Sequence, residues 1–210
     1  TATPIPRTLA VILYGDLDIS QIRTMPAGRQ PVRTVQTDES GRRKVYRFVR
    51  EQMEQGRQAY VVAPLIEESD KIEAKSAERL HRELKELFAD FRVALVHGEM
   101  KQDEKDAIMK DFAAGSIDLL ISTVVIEVGI NVPNASVMVI ENSERFGLAQ
   151  LHQLRGRVGR GEALSYCFLI CQSDSETAKE RNRIMCRSSD GFEIAEADLR
   201  LRGPGEIFGT

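Results

Sequence analysis

Short apolar runs alternate along this chain with segments of helical period. The runs are apolar on both faces of an extended strand, a pattern typical of parallel sheets that are covered by helices. We therefore predict an α/β fold with a parallel sheet. The predicted strands are Leu9–Leu13, Val32–Gln36, Ala59–Ala63, Arg92–Val96, Asp118–Ile121, Val137–Ile140 and Tyr166–Ile170.

The segments between these runs predict amphipathic helices. The first is expected to start at an N-cap formed by Ser40 and to stop at Gly56, with Val45, Phe48, Val49 and Met53 facing the core. The second follows the charged segment Glu67–Lys75 and has Ala77, Leu80, Leu84, Leu87 and Phe88 on one face. The third spans Lys101–Ala113 and buries Ile108 and Phe112. After Gln172 the pattern is helical and charged through Leu201, which predicts a helical appendage.

The composition is that of an ordinary soluble globular protein, with 42% hydrophobic and 29% charged residues. A net charge of −3 means that nucleic-acid contacts must come from local arginine clusters. Only 6% of residues are aromatic and Trp is absent, which disfavours a stacking platform for bases. Cys167 and Cys171 fit buried thiols in a strand better than zinc ligands, so no metal site is predicted. Without a membrane-spanning run or signal peptide, a reducing cytoplasm is expected.

Ligands of such sheets bind beyond the carboxyl ends of the strands. Three segments are predicted at that rim: His97–Glu99, Ser122–Thr123 and Glu141–Phe146. The hydroxyl pair Ser122–Thr123 could accept a phosphate near a helix N-terminus. Alternatively, one of these hydroxyls only caps the following helix.

The most specific stretch is QLHQLRGRVGRG, residues 150–161. Arg157 and Arg160 are three residues apart, so on a helix they would point the same way, and each guanidinium suits a phosphate. Gly156 and Gly159 would weaken such a helix but allow a nucleotide or another chain to approach closely. The alternative is a solvated basic face. The functional interpretation requires both arginines to lie on the ligand-binding rim of the sheet.

Several motifs resemble those of superfamily-two helicases. Gln153-x-x-Gly156-Arg157-x-Gly159-Arg160 resembles motif VI, Ser122 to Gly129 resembles motif V, and Thr1-Ala2-Thr3 resembles motif III. The runs ENSERFGLAQLHQLRGRVGRG and DGFEIAEADLRLRGPGEIFGT are similar to the RecG family of bacterial branch-migration helicases. The transcription-repair coupling factors are a sister family with the same tail. The resemblance implies a RecA-like sheet with helices on both faces, followed by a C-terminal helical hairpin.

The resemblance also implies roles for individual residues. Arg157 and Arg160 would be arginine fingers on ATP bound at another lobe, with Gln153 beside the γ-phosphate. Glu127, Gly129 and Asn131 would border the nucleotide. Asn131 stands where relatives commonly carry Asp, which puts a negatively charged contact to the ribose in doubt. DNA-backbone contacts are implied for Ser122, Thr123, His97 and Gly98, and the hairpin would use Arg181 and Arg202 with Glu193 and Asp198 as charge partners.

The implied organisation has three parts. Residues 1–30 would be the end of a first motor lobe and a linker, and residues 31–172 the second RecA-like domain. Residues 173–210 would be the hairpin, truncated before its usual Gln-containing end. No G-x-x-x-x-G-K-[ST] loop and no Asp-Glu magnesium motif occurs in this sequence. We therefore expect the 210-residue chain to bind no ATP or Mg²⁺ by itself and to lack ATPase activity.

The whole protein would be an ATP- and Mg²⁺-dependent helicase that remodels branched double-stranded DNA in recombination and repair. Implied partners are an N-terminal motor lobe and a wedge domain of the same chain, with single-strand binding protein as a candidate, in a bacterial nucleoid. Three alternatives stay open: a Rossmann-type oxidoreductase, which lacks its glycine fingerprint here; a module that docks an acidic partner; and a translocase coupled to transcription.

Overall fold

The computed structural model describes residues 31–63, 70–123 and 132–202. Its centre is a six-stranded parallel sheet with the strand order β1-β6-β5-β2-β4-β3. The predicted α/β class and the parallel arrangement are confirmed. The strands are β1 (Val32–Thr37), β2 (Gln58–Val62), β3 (Val93–Val96), β4 (Leu119–Ser122), β5 (Ala135–Ile140) and β6 (Ser165–Ile170).

Helices cover both faces of the sheet, as the RecA-like resemblance implied. The described helices are α1 (Arg42–Glu54), α2 (Asp70–Leu87), α3 (Gln102–Ala113), α4 (Leu148–Arg155), α5 (Glu176–Arg187) and α6 (Gly191–Arg202). One core cluster joins α1 and α2 to one face, with Val49 and Leu84 fully buried in it. A second cluster joins α3, α4, α5 and α6 to the other face through residues such as Phe112 and Leu151. The final two helices agree with the predicted helical appendage.

The central strands explain why the sequence shows no polar alternation there. Every residue of β2, β4 and β5 is buried, because helices lie on both sides and neighbouring strands on both edges. In the edge strands β1 and β3, most residues remain partly exposed. Apolar runs therefore predicted the strands well, although most boundaries differ by one or two residues.

Three details of the predicted helices are wrong. Helix α1 begins at Arg42 after a 3-10 turn, and the Asp38 carboxylate, not Ser40, accepts the hydrogen bond from the Gly41 N–H at 3.3 Å. Leu87 is 46% exposed, because Leu84 and Phe88, four residues apart, take the core positions at the end of α2. In α3, Met109 is fully buried while Ile108 is only partly buried.

Some sequence predictions fall outside the described residues. These are the strand Leu9–Leu13, the motif III resemblance and the linker up to residue 30. The boundaries of the three predicted parts stay predictions. Cys167 and Cys171 are buried as expected, and Cys186 is exposed. In the part of the chain that the structure describes, no helix has the length and apolar character needed to cross a bilayer.

Candidate functional site

The arginine-rich motif begins in α4 and continues into a turn. Gln150 accepts a hydrogen bond from the Gly147 N–H at 3.0 Å and so fixes the start of the helix, while Leu148 and Leu151 anchor it in the core. The helix ends at Arg155, and Gly156 is its C-cap. Gly159 has φ +78°, a left-handed conformation that favours glycine. Arg157 and Arg160 therefore do not lie on a helix, and the argument from helical spacing was wrong.

The turn that carries Arg157 and Arg160 lies at the amino-terminal edge of the sheet. Helix α4 follows the carboxyl end of β5 and leads back to the start of β6. Gly161 approaches the carbonyl oxygen of Pro133, which precedes β5. The prediction that both arginines lie on the carboxyl-terminal rim is wrong, because α4 carries the motif across the face of the sheet.

The positive charges of both arginines nevertheless act on the same residue of that face, Tyr60. Val158, between them, is fully buried in the cluster that contains Tyr60 of β2. Burial raises the pKa of Tyr60 to about 12, and the positive charges of Arg157 and Arg160 oppose that increase. The two guanidinium groups are thus close enough to the Tyr60 hydroxyl to influence it. The structure brings these two predicted finger residues together.

The remaining residues of the motif differ in exposure. Arg160 is exposed, with its Nε donating to the Gly156 carbonyl oxygen at 3.2 Å, and Arg157 is half-buried. Gln153 is exposed on α4. Arg160 and Gln153 are thus open to solvent, and Arg157 is partly so.

Arg155 is an important residue that sequence reasoning missed. It is only 4% exposed, and its Nη1 donates to the carbonyl oxygens of Met185 and Ser188, both at 2.8 Å. Burial lowers the pKa of its guanidinium. Arg155 thus fastens the end of α4 to the end of α5. The three arginines of the motif looked alike in sequence, and a partner about thirty residues away gave no local signal.

The predicted DNA-contacting residues meet at the carboxyl-terminal edge. The Thr123 N–H donates to the Val96 carbonyl oxygen at 3.2 Å, which places Thr123 beside His97 and Gly98. Gly98 is exposed and His97 half-buried. Ser122 and Thr123 are only 5% and 2% exposed, and Ser122 is the last residue of β4. The His97–Gly98 turn is therefore the accessible part of this group.

Glu141 at the same edge is already engaged. Arg42 Nε donates to its carboxylate at 2.8 Å, and the Tyr46 hydroxyl donates to the same oxygen. Glu141 is 3% exposed. Burial and the neighbouring Glu141 carboxylate raise the pKa of Tyr46, so this hydroxyl stays protonated. The Glu141–Phe146 segment lies at the predicted rim, but this carboxylate ties α1 to β5.

The final helix pair contains the predicted coupling residues. Arg181 of α5 donates from Nη1 to the Phe146 carbonyl oxygen at 3.0 Å and from Nη2 to that of Glu144 at 3.2 Å. Glu193 of α6 accepts from the Ser188 hydroxyl at 2.6 Å. The structure thus gives Arg181 and Glu193 separate partners and does not pair them. Asp198 is half-buried on α6.

Other predicted positions lie outside the described residues. These are Glu127, Gly129 and Asn131 at the nucleotide and the side chain of Arg202. Whether Ser122 or Thr123 caps a following helix is likewise outside the description. Val132, the first described residue after this gap, is 2% exposed in the cluster with Tyr60 and Val158.

Comparison with known families matches residues 42–162 to the helicase conserved C-terminal domain. This range holds four of the six described strands, together with the His97–Gly98 turn and the arginine turn. The chain belongs to the helicase C-terminal domain family. The requirement that the arginines lie on the carboxyl-terminal rim was therefore too strict, since in this helicase domain the arginine turn lies at the opposite edge from the His97–Gly98 turn.

The resemblance to RecG is confirmed by curated relatives. This helicase domain is 55% identical over 211 residues to the ATP-dependent DNA helicase RecG of Thermotoga maritima, and 51% identical over 210 residues to that of Bacillus subtilis. Both matches cover 100% of the chain, but 27% and 31% of the relatives. The chain thus spans less than a third of the length of these relatives.

A solved structure supports the same assignment. A structure of RecG bound to a three-way DNA junction has a TM-score of 0.81 and 51% identity, covering 98% of this chain and 27% of that chain. A structure of Dbp5 from S. cerevisiae bound to RNA and ADP BeF3 has a TM-score of 0.57 at 18% identity, so that likeness concerns the fold alone. This helicase domain therefore has the architecture of a RecG motor lobe.

Proposed function

We propose that this chain is the second motor lobe of an ATP-dependent double-stranded DNA translocase that remodels branched DNA, such as stalled forks and Holliday junctions, in recombination and repair. The observation that carries the proposal is the pair Arg157 and Arg160 on one glycine-shaped turn, which Val158 anchors in the core. The similarity to RecG and to its complex with a DNA junction supports the choice of substrate. The relatives also favour this function over a transcription-coupled translocase or an oxidoreductase.

The proposed catalytic role of the turn is electrostatic. ATP, held with Mg²⁺ by the other lobe, supplies the phosphoryl group that is transferred. Arg157 and Arg160 stabilise the charge that spreads over that group, a role worth about 10³ to 10⁵ in rate in phosphoryl-transfer enzymes. Gln153, on α4 four residues before Arg157 in the sequence, orients the reacting end of the nucleotide. Glu127, Gly129 and Asn131 border the rest of it.

The proposed DNA contact is at the opposite edge of the sheet. The exposed Gly98 and the half-buried His97 form a turn beside Thr123, where a phosphate backbone can approach. Ser122 and Thr123 are buried and the Thr123 N–H already donates to the Val96 carbonyl oxygen, so their proposed role is to support the His97–Gly98 turn from below. Such contacts position the strand without reading its sequence.

The last two helices provide the proposed coupling element. Arg181 bonds to carbonyl groups just before α4, and Arg155 bonds from the end of α4 to the end of α5. Movement of the arginine turn would therefore move α5 and α6 as a unit. Arg202, Glu193 and Asp198 belong to this element, which transmits lobe closure to the DNA.

In the whole protein, the partners are an N-terminal motor lobe, a wedge domain and branched DNA, with single-strand binding protein as a further candidate at the bacterial nucleoid. The 210-residue chain has no phosphate loop of its own. Cleavage of ATP therefore requires the other lobe.

Replacement of Arg160 by alanine in the full-length protein tests the proposal. We expect DNA-dependent ATP turnover to fall by about 10³-fold while ATP affinity stays within several-fold, because the finger acts in the transition state. Arg82→Ala, at an exposed position on α2, is the matched control and should retain turnover. The isolated chain is the blank and should release no phosphate when DNA is added. Unchanged turnover in Arg160→Ala would remove the finger assignment, and DNA-stimulated release by the isolated chain would contradict its dependence on another lobe.

A further inference from the structure

Gly161 is in unusually close contact with the main chain before β5. A Cβ atom built on Gly161 would lie 2.3 Å from the Pro133 carbonyl oxygen and 3.2 Å from the Pro133 carbonyl carbon. Carbon and oxygen atoms in van der Waals contact are normally about 3.3 Å or more apart. Both neighbours are backbone atoms, so they cannot rotate away as a side chain could. Any residue larger than glycine must therefore separate the two segments.

The two segments are each anchored to the core. On one side, Val158 is fully buried, and on the other, Val132 is 2% exposed in the same cluster. Asn134, directly after Pro133, is held by two hydrogen bonds. Its side-chain Nδ2 donates to the Gly56 carbonyl oxygen at 2.9 Å, and its backbone carbonyl oxygen accepts from the Gln58 N–H at 3.1 Å. Pro133 therefore has little freedom to retreat. If a side chain at position 161 pushed the two segments apart, the turn that carries Arg160 would be the part that moves.

The first of these segments carries the proposed arginine fingers, because Arg160 directly precedes Gly161. We propose that Gly161 is a positioning residue that sets the arginine fingers relative to Pro133 and the start of β5. This inference rests on the proposed function. It assigns Gly161 a role in transition-state geometry that differs from the conformational role of Gly159.

The proposal predicts a selective defect. A methyl group at position 161 must move the arginine turn by about 1 Å, a displacement that can lower a catalytic rate by about 100-fold. The other lobe would still bind the ADP part of the nucleotide. Affinity for a mimic of the transferring phosphoryl group should fall, because Arg157 and Arg160 no longer meet it correctly.

The test compares Gly161→Ala with wild type in the full-length protein. We expect ADP affinity within about threefold, at least about tenfold weaker binding of ADP–aluminium fluoride, and about 10- to 100-fold lower DNA-dependent kcat. Glu162→Ala, at the exposed neighbouring position, is the control and should change none of these. Active-site titration with a fluorescent ADP analogue normalises every rate to folded protein. A general loss of folded protein would not alter the ratio of the two affinities.

If Gly161→Ala binds both nucleotides as the wild type does, the inference is overturned. Should that variant fail to fold, Pro133→Gly tests the contact from the other side by freeing the backbone of Pro133. It should show the same selective loss, and an unchanged affinity ratio would equally reject the proposal. Arg160→Ala distinguishes failure of the proposed function from failure of the Gly161 inference. If Arg160→Ala retains turnover, the proposed function fails. If Arg160→Ala loses turnover but Gly161→Ala does not, only the role of Gly161 fails.

Discussion

At the scale of single residues, burial divides groups of the same type into different roles. Arg155 and Arg160 are five residues apart, yet one is buried against main-chain carbonyls and the other is exposed. A buried guanidinium is retained only where its donors find acceptors. The exposed guanidinium of Arg160 can instead be reached by a ligand from solvent. Burial likewise separates Cys167 and Cys171, which are buried, from Cys186, which is exposed.

The cysteines should differ in reactivity toward iodoacetamide. Burial raises the pKa of Cys167 to about 12, so its thiol stays protonated at pH 8 and unreactive in the folded chain. Partial loss of solvent also raises the pKa of the Cys186 thiol, but this side chain remains exposed to the reagent. Peptide mass spectrometry after brief labelling at pH 8 should find Cys186 modified first and Cys167 last. Labelling should accelerate as the pH rises, because the reactive thiolate form increases.

The control for this order is the chain unfolded in urea, where the three thiols should react at similar rates. Equal labelling of Cys167 and Cys186 in the folded chain would contradict the burial of β6.

At the scale of elements, helix α4 is the structural centre of the candidate site. It starts from the carboxyl end of β5, buries Leu148 and Leu151, and delivers the arginine turn to the other edge. Its end is fixed to α5 by Arg155, and the segment before it is fixed to α5 by Arg181. Arg155 and Arg181 thus connect α4 to α5 at both ends of α4.

Loss of Arg155 should destabilise this pair. In Arg155→Met the carbonyl oxygens of Met185 and Ser188 lose a charged donor inside the core, which should lower the free energy of unfolding by about 2–4 kcal/mol. Urea unfolding of the 210-residue chain, followed by circular dichroism, measures this change. Arg183→Met is the matched control on α5. Arg183 forms only exposed ion pairs with Glu176 and Glu180, so its loss should cost less than about 1 kcal/mol. Equal costs would show that the Arg155 contacts contribute nothing beyond a surface pair.

The elements were more predictable from sequence than the site. Runs such as Ala59–Ala63 predicted strands because a strand buried on both faces cannot contain many polar residues. The arginine turn was misjudged, since a spacing of three fits both a helix and a turn. Only the backbone conformation at Gly159 distinguishes the two. The contact between Gly161 and Pro133 joins residues that no periodicity relates, so sequence patterns could not predict it.

At the scale of the whole molecule, the two proposed contact sites lie at opposite edges of the domain. His97, Gly98 and Thr123 lie at the carboxyl ends of the strands, and Arg157 and Arg160 lie near their amino ends. The rule that ligands bind at carboxyl ends therefore covers only half of the proposed surface. A lobe built this way can contact DNA with one edge and a nucleotide on a neighbouring lobe with the other.

The most direct test of this account is a structure of the full-length protein with a three-way DNA junction, Mg²⁺ and ADP–aluminium fluoride. The measurement is the distance from the guanidinium nitrogens of Arg157 and Arg160 to the fluoroaluminate. The account predicts at least one of these nitrogens within hydrogen-bonding distance, about 2.7–3.2 Å. Placement of both guanidinium groups in solvent, with the nucleotide enclosed by other residues, would contradict it.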